Sequence, residues 1–386
     1  MDSPKSQLYV CGSGECEQLG IPDKYLTRIP LCVNFGIPVS KVACGAMHTL
    51  VLSDIGEVFS WGTNDVGALG RTGQENVPEK IPGLSAIESI TAGDSHSVAL
   101  SLSGKQLYTW GSYRNSEGAM TAGNPVPLEV SSQLGRFKQM TQIVSGGNHA
   151  LVLADGKVFA WGDAEFGQIG RFPRSRHKIK HSLMIESMGL KRIQRVFSGV
   201  NHSFAMGVEG KVYAWGLNNC GQLGNGTTEN ASVPEEIPDL EGLMITQIEG
   251  GNNHTIAVTL DGLVYGWGLN DCYQLGLNNT RNFYTPQLLA LSNISHVSCG
   301  SNFTLALSKT EKVYSWGQGE NYVLMNKKEE DLSMPYMVAW SIGKGIQQVC
   351  AGSQHIVLLA NPAFMVLKQS KKKDGQPTKK TKLSDQ

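Results

Sequence analysis

The sequence predicts an all-β protein, a seven-bladed β-propeller whose ring is closed by strands from both ends of the chain. The first observation is a repeat of about fifty residues, and repetition at such a period is typical of repeat architectures. Each repeat runs through an apolar strand, a Gly-x-x-His motif, a second apolar strand, a Gly turn and an aromatic strand ending in Trp-Gly. The Gly-x-x-His units, the sixth of which has Phe instead of His, begin at Gly45, Gly93, Gly146, Gly199, Gly251, Gly300 and Gly352. The Trp-Gly units begin at Trp61, Trp110, Trp161, Trp215, Trp267 and Trp316.

The second observation is the phase of the repeats. The last Gly-x-x-His unit is followed by only one apolar strand, residues 356–360, and then the pattern stops. The missing partner stands at the other end of the chain, where residues 8–12 resemble a Trp-Gly strand without its Trp and are followed by Leu19 and Gly20. The N-terminal strands are therefore predicted to complete the last blade. Closure of a ring removes exposed sheet edges.

The third observation is the make-up of a single repeat. Residues 42–44, 49–52 and 58–61 each read as a short β-strand, and the stretch after Leu69 and Gly70 can supply a fourth. Four strands per repeat predict propeller blades, each with its own core, which explains how 386 residues can form one ring. We expect a short N-terminal segment at 1–6, the propeller at 7–367 and a disordered tail at 368–386.

Composition indicates a soluble, intracellular protein. Lys plus Arg and Asp plus Glu are both 33, so the formal net charge is zero. No apolar run approaches the roughly 20 residues that span a bilayer, and no signal-peptide core is present. Cys44 and Cys299 directly precede a repeat Gly, and Cys220 and Cys272 occupy equivalent positions. They are predicted to be small buried apolar residues of a reduced protein.

The repeated His and Trp are predicted to be structural. Residues related by a seven-fold axis spread around a ring and do not converge on one metal ion, so we expect the histidines to hydrogen-bond backbone groups and the tryptophans to pack between blades. The sequence contains no Ser-His-Asp arrangement, phosphate-binding loop or Rossmann fingerprint. We therefore expect no covalent catalysis, no metal and no cofactor.

Three segments break the repeat. After Trp110 and Gly111, residues 112–120 replace the turn found at 63–70, either as a drifted loop or as a functional one. A basic cluster after Gly170, either a solvated surface or a site for an acidic partner, contains Arg171, Arg174, Arg176, Lys178 and Lys180. The Lys-rich tail, readable as a nuclear-import signal, a nucleic-acid contact or a solubilising segment, contains Lys371, Lys372, Lys373, Lys379, Lys380 and Lys382.

Several stretches resemble the regulator of chromosome condensation family over about residues 7–360. They are residues 46–49, 64–71, 92–96 and, above all, Trp110 to Gly118. The resemblance implies a chromatin-bound guanine-nucleotide exchange factor for the small GTPase Ran. In that family the last stretch is a wedge that inserts into the GTPase, which here is Tyr113, Arg114, Asn115, Ser116, Glu117, Gly118, Ala119 and Met120.

The resemblance also implies further contact residues. The GTPase-facing loops would carry Glu15, Asp94, Asn148 and Asn253. Asn148 and Asn253 stand where the family has an acid and a His, so Asn148→Asp is expected to raise exchange. The basic cluster would bind core histones at the nucleosome acidic patch, and the tail would contact DNA and importin in the nucleus. No membrane partner is expected.

Strand alternation gives an expectation for the two faces of the ring. The Gly-x-x-His loops and the loops after Trp-Gly are expected on one face, and the Gly turns with the segments after Leu-Gly on the other. The wedge and Asn148 would then share a face, while the basic cluster would begin on the opposite one.

Two other functions remain open. One is a propeller scaffold of the same superfamily that binds another protein without exchange, which the departures at Asn148 and Asn253 favour. The other is a photoreceptor of a plant branch, which places Trp inside the Gly-x-x-His motifs. The inner positions here, such as Ala46, Met47, Asp94 and Ser95, carry no Trp, which argues against a photoreceptor.

Overall fold

The computed structural model describes residues 6–114, 123–171, 185–187 and 189–361. These residues form seven four-stranded antiparallel sheets around a central channel, which confirms the predicted seven-bladed propeller. The blades are numbered 1 to 7 here, starting from the sheet that begins at residue 39. Residues 1–5 and 362–386, and with them the predicted domain boundary at 367 and the Lys-rich tail, lie outside the described residues.

Each blade contributes one strand to each of four concentric positions. The innermost strands line the channel and are β3 (Val39–Cys44), β7 (Ile87–Ala92), β11 (Met140–Ser145), β15 (Ile193–Ser198), β19 (Ile245–Gly250), β23 (Ile294–Cys299) and β27 (Ile346–Ala351). The second strands are β4 (His48–Ser53), β8 (His96–Ser101), β12 (His149–Ala154), β16 (His202–Gly207), β20 (His254–Thr259), β24 (Phe303–Ser308) and β28 (His355–Ala360).

The outer half of each blade is less regular. The third strands are β5 (Val58–Gly62), β9 (Leu107–Gly111), β13 (Lys157–Gly162), β17 (Val212–Gly216), β21 (Val264–Gly268), β25 (Val313–Gly317) and, in blade 7, β1 (Gln7–Ser13). The outermost strands are β6 (Glu79–Lys80), β10 (Asn124–Glu129), β14 (Ile185–Glu186), β18 (Ala231–Glu236), β22 (Phe283–Leu288), β26 (Leu332–Met337) and β2 (Leu26–Val33). Short 3-10 helices lie at Ser131–Leu134, Pro238–Leu240, Glu320–Tyr322 and Ala339–Ser341.

The ring closes as predicted. β1 pairs with β28 in register Leu8↔Leu359 and with β2 on its other side, so blade 7 has the strand order β2-β1-β28-β27. The N-terminal strands thus cover an edge of β28 that would otherwise be open.

The Trp-Gly and Leu-Gly motifs are two halves of one contact between blades. The Trp110 side chain is 1 % exposed, and its Nε1 donates a hydrogen bond to the backbone oxygen of Ala68 at 2.9 Å. Gly70 lies against the same indole with φ of +67°, and a Cβ there would stand 2.7 Å from Trp110 Nε1. Only glycine combines that backbone conformation with so close an approach. The repeated Trp is therefore interblade packing, as the sequence predicts.

The repeated histidines form a second set of contacts between blades. Ser97 is the residue after the repeat His in the next blade, and its hydroxyl lies 2.9 Å from the Nε2 atom of His48. The Ser97 hydroxyl donates its proton to the oxygen of Ala68, so His48 Nε2 carries the proton and donates. The same His-to-hydroxyl bond joins His149 to Ser203, His202 to Thr255, His254 to Thr304 and His355 to Thr49. Five of the six repeat histidines thus bond side-chain hydroxyls of the following blade rather than the backbone groups expected from the sequence.

Five of the seven outermost strands contain a proline, which hinders pairing with other chains. Proline, which lacks the N–H that a sheet edge would donate, occurs as Pro30 in β2, Pro127 in β10, Pro234 in β18, Pro286 in β22 and Pro335 in β26.

The expectation that the segments after Leu-Gly lie on the opposite face is wrong. We call the face formed by the Gly-x-x-His loops the His-loop face. The third strand of a blade ends on that face, as shown by the pairing of Gly162 with His149, and the next strand must start from the same side because the two are antiparallel. In blade 4, Ala231 at the start of β18 pairs with Gly216 at the end of β17. The strand order therefore does not put Arg171, the described start of the basic cluster, on the opposite face.

Candidate functional site

Blade 2 departs from the common pattern on the His-loop face. In the regular blades the chain leaves the Trp-Gly strand, forms the Leu-Gly turn and packs that turn against the Trp of the next blade. In blade 2 the chain leaves β9 at Gly111 and continues through Ser112, Tyr113 and Arg114, and residues 115–122 lie outside the described part. This is the place where the sequence predicts an irregular segment.

Tyr113 takes the place of the missing Leu-Gly turn. Its side chain is 6 % exposed, so the prediction that it protrudes as part of the wedge is wrong. The indole Nε1 of Trp161 in blade 3 donates to Tyr113 Oη at 2.7 Å, where other blades offer a backbone oxygen. Thr109 Oγ1 lies 2.9 Å from the same hydroxyl. Burial raises the pKa of the Tyr113 phenol, so it stays neutral.

His96 is the repeat histidine that lacks the usual partner. The residue after the repeat His in blade 3 is Ala150, which has no hydroxyl, and the two ring nitrogens of His96 have no hydrogen-bond partner among the described residues. The His96 ring instead stacks on Tyr113, with 4.1 Å between ring centroids and an interplanar angle of 29°. At this joint Ala150 stands in place of the hydroxyl-bearing residue, and Tyr113 stands in place of the Leu-Gly turn. Ala150 is an exception in an alignment of the seven repeats, but it is not among the residues predicted from the sequence.

Arg114, Asn148 and Asp94 meet where the chain leaves blade 2. Asn148 Oδ1 accepts the backbone N–H of Arg114 at 2.7 Å, and Asn148 Nδ2 donates to Asp94 Oδ2 at 3.1 Å. Burial raises the pKa of the Asp94 carboxyl, while the charge of Arg114 and the bond from Asn148 act in the opposite direction. The Arg114 side chain is exposed. A cation is therefore presented to solvent beside a half-buried carboxylate.

The other predicted GTPase-facing residues lie on the same face in other blades. Glu15 is exposed in the connection from β1 to β2. Asn253 precedes β20, and its Nδ2 contacts Asn219 Oδ1 at 3.3 Å and Cys220 Sγ at 3.5 Å. Among the described contacts neither residue touches Asp94 or Asn148. The structure thus brings together two of the four loop residues and leaves the other two elsewhere on the rim.

The basic cluster begins within the β13–β14 connection of blade 3. Arg171 is half-buried and its Nη1 contacts the backbone oxygen of Glu186 at 3.5 Å. In blades 1, 4 and 5 an Asn after Trp-Gly donates through Nδ2 to the segment that follows Leu-Gly, at Arg71, Thr227 and Asn279. Blade 3 has Ala164 at this position and lacks that anchor. Arg174, Arg176, Lys178 and Lys180 fall outside the described residues, as do Asn115 to Met120 of the wedge and the tail lysines.

Among the described residues, no group of three or more His, Cys, Asp or Glu side chains is placed to hold a metal ion. Burial lowers the pKa of the repeat histidines, to about 4 for His48 and about 3 for His202, so these rings are neutral. All eight cysteines are free. Over the same residues, no helix is long and apolar enough to cross a membrane.

Comparison with known proteins identifies the family to which the fold belongs. The RCC1-like domain family matches residues 7–358. The human regulator of chromosome condensation is 32 % identical over 382 residues, covering 90 % of this chain and 89 % of that protein. The guanine nucleotide exchange factor SRM1 of Saccharomyces cerevisiae is 30 % identical over 283 residues, 62 % of this chain and 58 % of that protein. The ultraviolet-B receptor UVR8 of Arabidopsis thaliana is 33 % identical over 285 residues, 71 % and 64 % respectively.

Two solved structures share the whole ring. Prp20p of Saccharomyces cerevisiae, studied for its binding to Gsp1p and histones, has a TM-score of 0.85 and 27 % identity over 97 % of this chain and 96 % of that chain. Yeast Prp20 bound to Kap60 has a TM-score of 0.86 and 27 % identity over 96 % and 92 %. The match over residues 7–358, together with the closed ring of seven blades, shows that this chain belongs to the RCC1-like domain family.

Proposed function

We propose that this protein is a guanine-nucleotide exchange factor for a Ran-type GTPase and that it acts from the His-loop face. The observation that carries the proposal is the Arg114–Asn148–Asp94 cluster, which fixes the start of the irregular segment of blade 2. The comparisons support it, because SRM1 is named an exchange factor and Prp20p binds Gsp1p, a Ran GTPase.

Exchange needs no covalent chemistry. A GTPase holds its nucleotide through phosphate-loop N–H groups and Mg²⁺. A partner accelerates release by binding the nucleotide-free or distorted GTPase better than the loaded one, since only differential affinity shifts the equilibrium. A charged segment that emerges from a rigid ring can supply that difference. Arg114 and Glu117 are the charged residues we assign to the contact near the phosphate and Mg²⁺ site.

The test is release of fluorescent GDP from Ran in the presence of excess unlabelled GTP, with a Ras-type GTPase as the specificity control. We expect catalytic acceleration with Ran and none with the control. A chain that binds Ran without accelerating release would be the scaffold alternative, which the departures at Asn148 and Asn253 favour.

We also propose that the protein works on chromatin in the nucleus. The basic cluster would bind the acidic patch of core histones, because the planar Arg fork takes carboxylates bidentately. The binding of Prp20p to histones supports this assignment. Changing Arg171, Arg174 and Arg176 to Ala should weaken nucleosome binding and leave exchange on free Ran intact. Equal loss of both activities would show that the cluster is structural.

The Lys-rich tail is proposed to contact DNA and an importin. The complex of Prp20 with Kap60, an importin, supports the second role. Neutralising Lys371, Lys372, Lys373, Lys379, Lys380 and Lys382 should weaken DNA binding and flatten its salt dependence, because each phosphate contact releases counterions. Unchanged DNA affinity and unchanged nuclear import would remove both roles.

A further inference from the structure

Tyr113 occupies the place that a backbone oxygen occupies at other joints between blades. The indole Nε1 atoms of Trp215, Trp267 and Trp316 donate to the oxygens of Gln168, Gln222 and Gln274 at 2.8 to 2.9 Å. Trp161 alone among the described tryptophan–turn contacts donates to a side chain, the hydroxyl of Tyr113 at 2.7 Å. The joint between blades 2 and 3 therefore depends on a side chain where the others depend on a turn.

We infer that Tyr113 is a positioning residue, which sets the place from which Arg114 meets the GTPase and does not itself touch it. The inference rests on the proposed function. Tyr113 is buried in the ring, so its proposed role is to support the segment. Contact with the GTPase is assigned to Arg114 instead.

Two neighbouring residues are held by the next blade. The Tyr113 hydroxyl accepts a hydrogen bond from the indole N–H of Trp161 in blade 3. The backbone N–H of Arg114 donates to Asn148, which also belongs to blade 3. Within blade 2, Thr109 bonds the Tyr113 hydroxyl and His96 stacks on the ring. These contacts leave the Arg114 Cα little freedom relative to the ring, although its side chain is exposed.

The hydroxyl group is the part of Tyr113 that can be tested alone. Phe at this position keeps the stacking on His96 but leaves the buried Trp161 N–H without its acceptor. The loss should loosen the joint between the two blades at the point where Arg114 begins. A small displacement of a contacting group lowers a rate strongly, because the group is no longer held in the productive geometry.

The experiment compares Tyr113→Phe and Trp161→Phe with Trp316→Phe. The last two are the same substitution in two blades, and Trp316 bonds Gln274 far along the ring from Asn148. We expect the first two variants to lower kcat of GDP release from Ran by about tenfold with KM nearly unchanged. Trp316→Phe should shift Tm by a similar amount and keep the parent kcat.

A second measurement separates positioning from general support. If Tyr113 acts through Arg114, adding Tyr113→Phe to Arg114→Ala should lower kcat no further than Arg114→Ala alone. Additive losses would overturn the inference, as would parent kcat in Tyr113→Phe and Trp161→Phe, or an equal loss in Trp316→Phe. A parent protein that does not accelerate GDP release would instead overturn the proposed function, and this inference with it.

Discussion

Phe303 of blade 6 and Ile356 of blade 7 are matched replacements at one joint of the ring. At the joints that retain the pair, a repeat histidine bonds a Ser or Thr hydroxyl, as His254 bonds Thr304 at 3.2 Å. At this joint the histidine position holds Phe303 and the hydroxyl position holds Ile356, and both belong to one apolar cluster. At this joint both polar partners are absent together, which avoids a buried unpaired group.

Phe303→His should therefore destabilise the protein, by about 1–3 kcal/mol, because its ring nitrogen would be buried against Ile356 without a partner. Adding Ile356→Thr should recover part of the loss by restoring the hydroxyl. Urea unfolding of the three variants measures this. If the double variant is as unstable as the sum of the singles, the pairing rule does not hold at this joint.

Asn148→Asp should weaken both stability and exchange, contrary to the increase expected from the sequence. Asn148 Nδ2 donates to Asp94 Oδ2 at 3.1 Å, and a carboxylate there cannot donate. It would also face the Asp94 carboxylate, whose pKa is already raised by burial. We expect the loss of stability to be larger at pH 8 than at pH 5, where one of the two carboxyls is protonated more readily.

Asn253→Asp is the matched control for that substitution. Asn253 lies on the same face but contacts Asn219 and Cys220 rather than an acid. Its Tm should change less than that of Asn148→Asp at pH 8. Equal shifts in the two variants would mean that repulsion from Asp94 is not the cause.

Stability should fall as the pH is lowered below about 6.5, because burial lowers the pKa of the repeat histidines in the folded state. The folded pKa is about 3 for His202, His254 and His355, and the unfolded rings bind protons near pH 6.5. Between those values the unfolded state binds more protons than the folded state. Each ring therefore lowers the free energy of unfolding by up to about 1.4 kcal/mol per pH unit as the pH falls. Thermal unfolding from pH 7 to pH 4.5 measures the decline.

One half-buried carboxyl that lines the channel, that of Glu249, opposes this trend. Burial raises the pKa of Glu249 to about 7 from 4.5, so its contribution to stability is lost as the pH rises through that window. Glu249→Gln should therefore stabilise the protein at pH 8 and change little at pH 4.5. A variant that loses stability at both pH values would show that the Glu249 carboxylate makes a favourable contact.

The repeats made the ring, its closure and the irregular blade predictable. Spacing identified residues 356–360 and 8–12 as parts of one blade, and β28 and β1 do pair. The burial of Tyr113 was not predictable in the same way, because its aromatic side chain could equally protrude or fill the gap left by a turn. That choice depends on Trp161 of the next blade, which lies 48 positions along the chain. Strand direction alone was enough to predict the face on which the segments after Leu-Gly begin, and that prediction was wrong.

The most direct test of the proposed function replaces Arg114 to Glu117 with the plain turn sequence found at residues 63–66 and measures GDP release from Ran. Tyr113, Trp161 and Asn148 are left in place, so the circular dichroism spectrum should match the parent and Tm should stay close to it. We expect the parent to accelerate release and the replaced protein to leave it at the intrinsic rate of Ran. Release at the parent rate from the folded variant would contradict the assignment of exchange to blade 2.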